Sequence, residues 1–511
     1  MTAWLRLIAL APALVSALAP TPPSRHTPTH PRRAVSPAAA ATLTKPAAAD
    51  AEAAADDRYC VALVALGCPK NTVDAEVMLG DLQRNGLKIV AEPEDADIVI
   101  VNTCAFVEDA KRESIAAIVD AARLKDDRAQ PARGLFVTGC MAQRYAEELA
   151  EELPEVDAVV GFESYAEIPA KVREVLLASE EGGGDGAGSA AQSVLVGSAS
   201  VPFRSEDDRW QLTPQHTAYL RVAEGCDHAC TFCAIPGFRG EFRSKPYEST
   251  LAEATRLVEN GVRELNLIAE DTNQFGSDWG SADPRRLPQL LRDIAALEGL
   301  QWIRLLYCYP SYFSDELVDE IATNDKVLKY IDIPLQHLSA TVLQRMRRPG
   351  AAATEKLLAR LRAKVPGLLL RSTFICGFPG ETEEEHRELV DGAARLGFER
   401  GGAFAYSAEE GTPAAEMEGQ LDEEVKQQRK DEMVAGFQRR SELWAERMVG
   451  REVDVIVDRM EGGDAIARTQ WDALDIDGGV RVPGAMAIPG MLLRVRIVAA
   501  DGMDLIANPV P

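Results

Sequence analysis

The 511-residue chain has few cysteines, a deficit of basic residues and no apolar run long enough to cross a membrane. Nine cysteines are too sparse for a disulfide framework, and their odd number leaves at least one unpaired. Fifty-five Lys and Arg against 80 Asp and Glu give a formal net charge of -25, which disfavours nucleic acid as the main partner. A basic protein partner suits this charge better, and no stable membrane association is expected.

Residues 1–57 have the composition of a targeting leader. The first acidic residue of the chain is Asp50, and an apolar stretch at residues 5–19 precedes a segment rich in Arg, Ser, Thr, Pro and Ala. The stretch is shorter than the roughly 20 residues of a membrane-spanning helix and ends in small residues, as a signal peptide does. The leader resembles the bipartite plastid leader of algae with secondary plastids. A mitochondrial or secretory leader is the alternative.

Residues 58–178 alternate short apolar runs with helical patterns, which predicts an open parallel sheet with crossover helices. The runs YCVALVAL, ADIVIVN and GLFVTG lead, at equal intervals, to Cys68, Cys104 and Cys140. Because the carboxyl ends of parallel strands meet at one edge, we expect these thiols to face one another as metal ligands. The alternative is three small buried residues that cap core strands. Three other cysteines lack this setting and are expected to be structural: Cys60, Cys308 and Cys376.

The rest of the chain divides by composition. A Gly, Ala and Ser-rich stretch predicts a linker at residues 179–215. In residues 216–445, apolar runs of strand length alternate with amphipathic stretches, which predicts a partial TIM-like (β/α) barrel with its reactive groups at the carboxyl ends of the strands. Short strands and turn residues predict a small β-barrel at residues 446–511. The expected fold class is therefore α/β, with these three domains in order.

The segment EGCDHACTFCAIPGFRG contains three more cysteines, Cys226, Cys230 and Cys233, at CxxxCxxC spacing. A structural zinc site wants four protein ligands, and His228 is the only local candidate for the fourth. Three thiolates fit an iron-sulfur cluster in which one iron is left open. A zinc knuckle or an inert cysteine loop is the alternative.

Six ordered stretches resemble the radical S-adenosylmethionine (SAM) methylthiotransferases, and among them the RimO group. They are LGCPKNTVDAE, IVNTCAF, VTGCMAQRY, AEGCDHACTFCAIPGFRGEFRSKP, IPLQHLSATVLQRMRRPG and RSTFICGFPGETEEE, and the resemblance runs from about residue 59 to the C-terminus. One departure is Glu270, which stands where the family pattern has Gln. The fine polar contacts at this position are therefore expected to differ from those of the family.

The resemblance implies two 4Fe-4S clusters and SAM as cofactors. The CxxxCxxC cysteines would hold the cluster whose open iron binds SAM, while Cys68, Cys104 and Cys140 would hold an auxiliary cluster that handles sulfur. Phe232 would pack beside SAM, and Arg371 and Gly377 would line it. The protein's part is to position these groups and exclude side reactions. A low-potential donor such as ferredoxin or flavodoxin would supply the electron.

The resemblance leaves two substrates to weigh. RimO enzymes methylthiolate the β-carbon of an aspartate in the twelfth small-subunit ribosomal protein, whereas sister enzymes modify an adenosine in transfer RNA. The stretch CPKN resembles the RimO form. The C-terminal barrel is similar to the TRAM domain, yet residues 447–511 hold seven Arg and no Lys against ten Asp and Glu, which suits a basic protein better than RNA. The transfer-RNA enzyme and a noncatalytic iron-sulfur or zinc module are the alternatives.

Overall fold

The computed structural model describes residues 59–126, 132–181, 191–199, 201–203 and 209–510. The expected leader at residues 1–57 lies outside them. No helix in the described part of the chain is both long enough and apolar enough to span a membrane.

The N-terminal domain is a six-stranded parallel sheet in the order β2-β1-β3-β4-β5-β6, which confirms the predicted open sheet. Its strands are β1 Cys60–Ala65, β2 Lys88–Ile89, β3 Ile98–Thr103, β4 Gly134–Thr138, β5 Ala158–Val160 and β6 Ser193–Leu195. Its helices are α1 Pro69–Arg84, α2 Glu108–Asp126, α3 Gly139–Arg144, α4 Ala146–Glu152 and α5 Ile168–Glu181. Every residue of β3, β4 and β5 is buried, as expected of strands covered by helices on both faces.

A segment within the expected linker belongs to this sheet. Residues 193–195 form β6 and pair in parallel with β5. Further along, the backbone N–H of Trp210 donates to the carbonyl of Glu76 in α1 at 2.9 Å. The chain therefore packs along the first domain before it enters the second.

The central domain is an open, six-stranded parallel sheet in the order β14-β13-β12-β11-β10-β7, which confirms the predicted partial barrel. Its strands are β7 Thr217–Arg221, β10 Glu264–Ile268, β11 Trp302–Leu305, β12 Val327–Asp332, β13 Leu369–Cys376 and β14 Arg400–Ala405, with a separate antiparallel pair, β8 Ala223–Glu224 and β9 Arg243–Ser244. Its helices are α6 Ile235–Arg239, α7 Tyr247–Glu259, α8 Leu287–Ala295, α9 Asp315–Thr323, α10 Ala340–Arg345, α11 Ala351–Lys364, α12 Glu383–Leu396 and α13 Glu423–Met448.

The C-terminal domain is a closed five-stranded barrel in the order β15-β16-β17-β19-β18, as predicted. Its strands are β15 Glu452–Glu461, β16 Asp464–Thr469, β17 Val480–Val482, β18 Leu492–Asp501 and β19 Asp504–Pro509. Alternate residues such as Val455, Val457 and Val495 fill its interior. The long helix α13 crosses the expected boundary at residue 445 and packs on this barrel through Ala445 and Met448.

Candidate functional site

The first group of cysteines lies where three neighbouring strands end. Cys68 precedes α1 after β1, Cys104 follows β3, and Cys140 is in the first turn of α3 after β4. Burial raises the pKa of the Cys104 thiol to about 12, and the thiols of Cys140 and Cys68 add to the rise. The three side chains are therefore neighbours, as the strand pattern predicted.

Gly67 permits this close approach. Its φ is +94°, and a Cβ placed there would lie 2.8 Å from the Cβ of Cys104. Only glycine combines this backbone conformation with the space that Cys104 occupies.

The second group of cysteines lies in the loop between β8 and α6. The N–H of Cys233 donates to the carbonyl of Cys230 at 3.2 Å, which folds the loop back on itself. Burial, with a smaller contribution from neighbouring thiols of the group, raises the pKa of both Cys226 and Cys233 to about 12. Thiols of this kind stay protonated at neutral pH unless a metal binds and displaces the proton.

One cavity of about 2700 Å³ is lined by all six of these cysteines. Residues from all three domains line its wall. Phe232 and Arg371 are among the lining residues, and the Arg371 guanidinium donates to Asp332 on β12 at 2.7 Å. Gly377 is not among the lining residues, and its N–H donates to the Glu381 carboxylate at 2.8 Å.

Three thiols in each group match an iron-sulfur cluster with one open iron, whereas a closed zinc site needs four protein ligands. Within the ranges that the structure describes, no three His, Cys, Asp or Glu side chains are grouped tightly enough to hold one ion. A 4Fe-4S cluster is a cube, so its thiolate ligands stand further apart than those of zinc. His228 is engaged elsewhere, because its Nε2 lies 2.8 Å from Asp271 Oδ2 and its ring stacks on Tyr309 at 3.6 Å. The loop thus offers three thiols without a fourth side-chain ligand from His228.

Several polar residues at the site were missed in the sequence. The Lys70 ammonium lies 3.5 Å from the centroid of the Tyr307 ring and donates to the carbonyl of Ala269. The Arg348 guanidinium lies 4.2 Å from the Tyr309 ring centroid and reaches Cys230, and Arg239 reaches Cys140. Lys70 belongs to the motif CPKN, Arg348 to RMRRPG and Arg239 to GFRG. The motifs therefore contained these residues, but they did not indicate which side chains the residues contact.

Glu270, the departure noted in the sequence, lines the same cavity. Neither of its buried carboxylate oxygens has a hydrogen-bond partner, and Oε1 lies 3.8 Å from Nε of Arg239. The carboxylate therefore lies at the cavity wall, with the Arg239 guanidinium as a distant ion-pair partner.

Comparison with known proteins agrees with this architecture. Uncharacterized protein family UPF0004 matches residues 60–161, the Radical SAM superfamily matches residues 220–393, and the TRAM domain matches residues 449–510. The fold and the site thus define a radical SAM protein with an N-terminal cysteine-bearing sheet domain and a C-terminal TRAM barrel.

The curated relatives give the family. "Ribosomal protein uS12 methylthiotransferase RimO" of Geotalea uraniireducens is 43% identical over 455 residues, which covers 88% of this chain and 98% of that protein. The proteins of the same name from Geobacter sulfurreducens and Akkermansia muciniphila are 44% and 40% identical, also over 88% of this chain. The chain belongs to the RimO family of methylthiotransferases. A solved radical SAM methyltransferase, TsrM of Kitasatospora setae, covers 70% of the chain and 77% of its own at 16% identity and a TM-score of 0.45, and adds nothing to this assignment.

Proposed function

We propose that this chain is a radical SAM enzyme that methylthiolates the β-carbon of an aspartate in ribosomal protein uS12. The observation that carries the proposal is that two three-cysteine groups, one from each of two domains, open on a single cavity. A single cluster would serve SAM cleavage alone. Two groups facing one space fit a reaction that must also deliver sulfur to the activated carbon.

The residues that would hold the cofactors follow from their placement. Cys226, Cys230 and Cys233 would hold the cluster that binds SAM, and Cys68, Cys104 and Cys140 would hold the auxiliary cluster. When bound, the first supplies the electron that cleaves SAM for hydrogen abstraction, and the second supplies the sulfur for insertion. Cys104 and Cys140 are buried, whereas Cys68 and the three CxxxCxxC cysteines are half-buried, so both groups have at least one thiol on the accessible side of the cavity wall.

Three other residues would complete the SAM pocket. Phe232 is half-buried and packs against a cluster that contains Phe378 and Tyr406. Arg371 is held by Asp332, so its guanidinium keeps a fixed direction at the cavity wall. Gly377 allows the backbone of the following loop to approach closely. We assign all three to SAM binding.

Charge favours a protein substrate over transfer RNA. On the C-terminal barrel, Arg494 pairs with Asp454 and Arg496 pairs with Glu452, so these arginines are already neutralised. The cavity is lined by more acidic than basic side chains. Phosphate binding needs clustered, uncompensated cations, whereas a basic ribosomal protein is attracted to such a wall.

Two exposed phenylalanines support a polypeptide substrate. Phe106 of the N-terminal domain and Phe404 of the central domain are 48% and 42% exposed, and both line the cavity. Their ring centroids are 6.4 Å apart in an edge-on arrangement. Exposed aromatic side chains at a cavity mouth are typical of sites that anchor a partner chain. We assign them to contact with uS12.

Delivery and electron supply complete the proposal. A ferredoxin or flavodoxin would provide the electron.

The leader at residues 1–57 would direct the chain to a plastid. Residues 1–57 fused to a fluorescent protein should label the plastid of an alga with a secondary plastid, and a mitochondrial pattern would contradict this destination.

The decisive experiment offers both substrates together. The chain without its leader is reconstituted anaerobically with iron and sulfide, then incubated with SAM, sulfide, a low-potential reductant, uS12 and bulk transfer RNA. Mass spectrometry should find the methylthio group on uS12 alone. A group found only on transfer RNA would overturn the substrate, and zinc without labile sulfide would overturn the enzyme.

Cysteine variants test the two groups separately. Cys230→Ala should abolish SAM cleavage, whereas Cys104→Ala should preserve cleavage and stop sulfur insertion. Cys60→Ala is the matched control, because Cys60 lies in β1 and outside the cavity wall. Full methylthiolation by both Cys230→Ala and Cys104→Ala would contradict the assignment of the ligands.

A further inference from the structure

Arg239 joins the two cysteine groups. It ends α6, the short helix that begins two residues after Cys233, and so it is tied to the second group through the backbone. Its Nη2 lies 3.6 Å from the Sγ of Cys140, a member of the first group on the other domain. The side chain is 2% exposed. A buried cation therefore donates directly to a sulfur that would carry part of the charge of a cluster.

Neighbouring side chains fix the direction of this guanidinium. It donates to the Asn71 side-chain oxygen at 2.9 Å, to Asp74 at 3.0 Å and to Glu224 at 3.2 Å. The ring of Phe162 lies 4.6 Å from its central carbon. A planar, always charged group held on several sides presents its N–H to sulfur with little freedom to move away.

The second group has a separate donor of the same kind. Nη1 of Arg348 lies 3.7 Å from the Sγ of Cys230, and Nη2 donates to the carbonyl of Pro334. The guanidinium also stacks 4.2 Å from the ring centroid of Tyr309. Each cysteine group thus has one arginine on one sulfur, and the two arginines come from different parts of the central domain.

We propose that Arg239 is a positioning residue that sets the reduction potential of the cluster at Cys68, Cys104 and Cys140, and that Arg348 does so independently for the cluster at Cys226, Cys230 and Cys233. The inference rests on the proposed function, since it takes the two cysteine groups to hold clusters. In each case one electron passes from an external reductant to the cluster, and the arginine neither gains nor loses a proton.

The sign of the effect follows from electrostatics. A cluster gains one negative charge on reduction, and a cation or an N–H donor at its sulfur stabilises that charge. The interaction is strong at Arg239, which is buried and poorly screened, and weaker at the half-buried Arg348. Each arginine therefore raises the potential of its own cluster. Because they act on different sulfurs, the two potentials are adjusted separately.

The test measures potentials rather than turnover. Full-length protein is reconstituted anaerobically and titrated with dithionite, and the reduced clusters are followed by electron paramagnetic resonance. A background in which Cys226, Cys230 and Cys233 are Ala isolates the first cluster, and one in which Cys68, Cys104 and Cys140 are Ala isolates the second. In the first background, Arg239→Gln should lower the equilibrium constant for reduction at least tenfold, about 59 mV for a one-electron couple. Arg239→Lys should lower it less.

Matched variants separate this effect from loss of structure. Arg348→Gln should leave the first cluster unchanged and lower the potential of the second. Asp74→Asn removes one of the carboxylates that offset the charge of Arg239, and should shift the first cluster in the opposite direction, upward. If Arg239→Gln loads too little iron to titrate, Arg239→Lys and Asp74→Asn decide the question.

The outcomes are distinguishable. The inference would be overturned, with the enzyme left intact, by an unchanged first-cluster potential in an iron-replete Arg239→Gln. Equal shifts of the two cluster potentials, when one arginine substitution is placed in both backgrounds, would overturn it as well. Wild-type protein that binds no iron and sulfide would instead overturn the proposed function.

Discussion

The guanidinium of Arg468 in the C-terminal barrel donates to the carboxylate of Glu264, the first residue of β10, at 2.6 Å. Both side chains are buried, and Arg468 also pairs with Asp458 while Glu264 also accepts from Arg304. The barrel is therefore joined to the central sheet by an ion network that water does not reach. This arrangement keeps the acidic barrel beside the cavity, which some of its residues line.

Removal of one partner from this network should destabilise the protein strongly. Arg468→Ala leaves two carboxylates buried without their main cation, and we expect a loss of about 3 to 5 kcal/mol in the free energy of unfolding. Urea unfolding followed by circular dichroism measures it. Arg494→Ala is the control, since its exposed pair with Asp454 is worth at most about 1 kcal/mol. Equal losses in the two variants would contradict the role of the buried network.

The same carboxylate predicts a pH dependence. Burial opposes ionisation of Glu264, but Arg468 and Arg304 outweigh it and lower its pKa from 4.5 to about 2. A carboxyl group whose pKa is lower in the folded state contributes stability in full above its unfolded pKa, and loses it as the pH falls through the folded value. The stability difference between wild type and Glu264→Gln should therefore be constant above about pH 5 and shrink toward about pH 2. A stability difference that grew as the pH fell would contradict the lowered pKa of Glu264.

Gly377 predicts a local effect at the expected SAM site. Its φ is +76°, and a Cβ there would lie 2.3 Å from Cγ and 3.0 Å from Cα of Lys426, so α13 itself would have to move. Gly377→Ala should lower the thermal stability, measured as the unfolding temperature, and the SAM affinity, measured by calorimetric titration. Gly380→Ala is the matched control, because Gly380 has a similar φ of +72° but open space at its Cβ. Its cost should be limited to backbone strain of about 1 kcal/mol.

Much of the site could be predicted from the sequence because it depends on local rules. Parallel strands end at one edge, so Cys68, Cys104 and Cys140 had to lie near one another once their strands were recognised. The CxxxCxxC loop places its own three cysteines within a few residues. Both patterns are set by spacing along the chain and need no knowledge of how the domains pack.

The contacts between domains could not be predicted in this way. Arg239 and Cys140 are 99 residues apart, and nothing in either local sequence indicates the other. Strand β6 was missed for a different reason. Its three residues lie beside a Gly-rich stretch, and so short a strand takes its stability from pairing with β5 rather than from its own composition. Tertiary packing decided both features.

Replacement of Glu270 by Gln tests whether the departure from the family pattern affects the site. The two carboxylate oxygens of Glu270 are buried without hydrogen bonds, and a buried carboxylate of this kind carries a desolvation cost. Glu270→Gln removes the charge and keeps the shape. We expect the variant to bind the same amount of iron, to cleave SAM, and to unfold at an equal or higher temperature. Loss of iron or of SAM cleavage would show that the carboxylate itself is required at this position.

The phenylalanines at the cavity mouth separate substrate recognition from cofactor chemistry. Phe106 and Phe404 belong to different domains and leave much of their rings in solvent, so truncation of either creates no cavity in the core. Because neither is a cluster ligand, each Ala variant should keep its iron content and its SAM cleavage. The KM for uS12 should rise about tenfold, the effect of losing about 1.4 kcal/mol from an aromatic anchor, with kcat little changed.

The control for this prediction is Leu177→Ala. Leu177 is an apolar residue on α5 that is 55% exposed, and it lies outside the cavity wall, so its replacement should leave the KM unchanged. Kinetics with uS12 as the varied substrate give the answer. If KM for uS12 stayed constant in both phenylalanine variants, the substrate would have to enter elsewhere. If SAM cleavage fell with methylthiolation in proportion, the two rings would serve the cofactor site instead. A rise in KM alone assigns the gap between the two domains as the path by which the aspartate reaches the two cysteine groups.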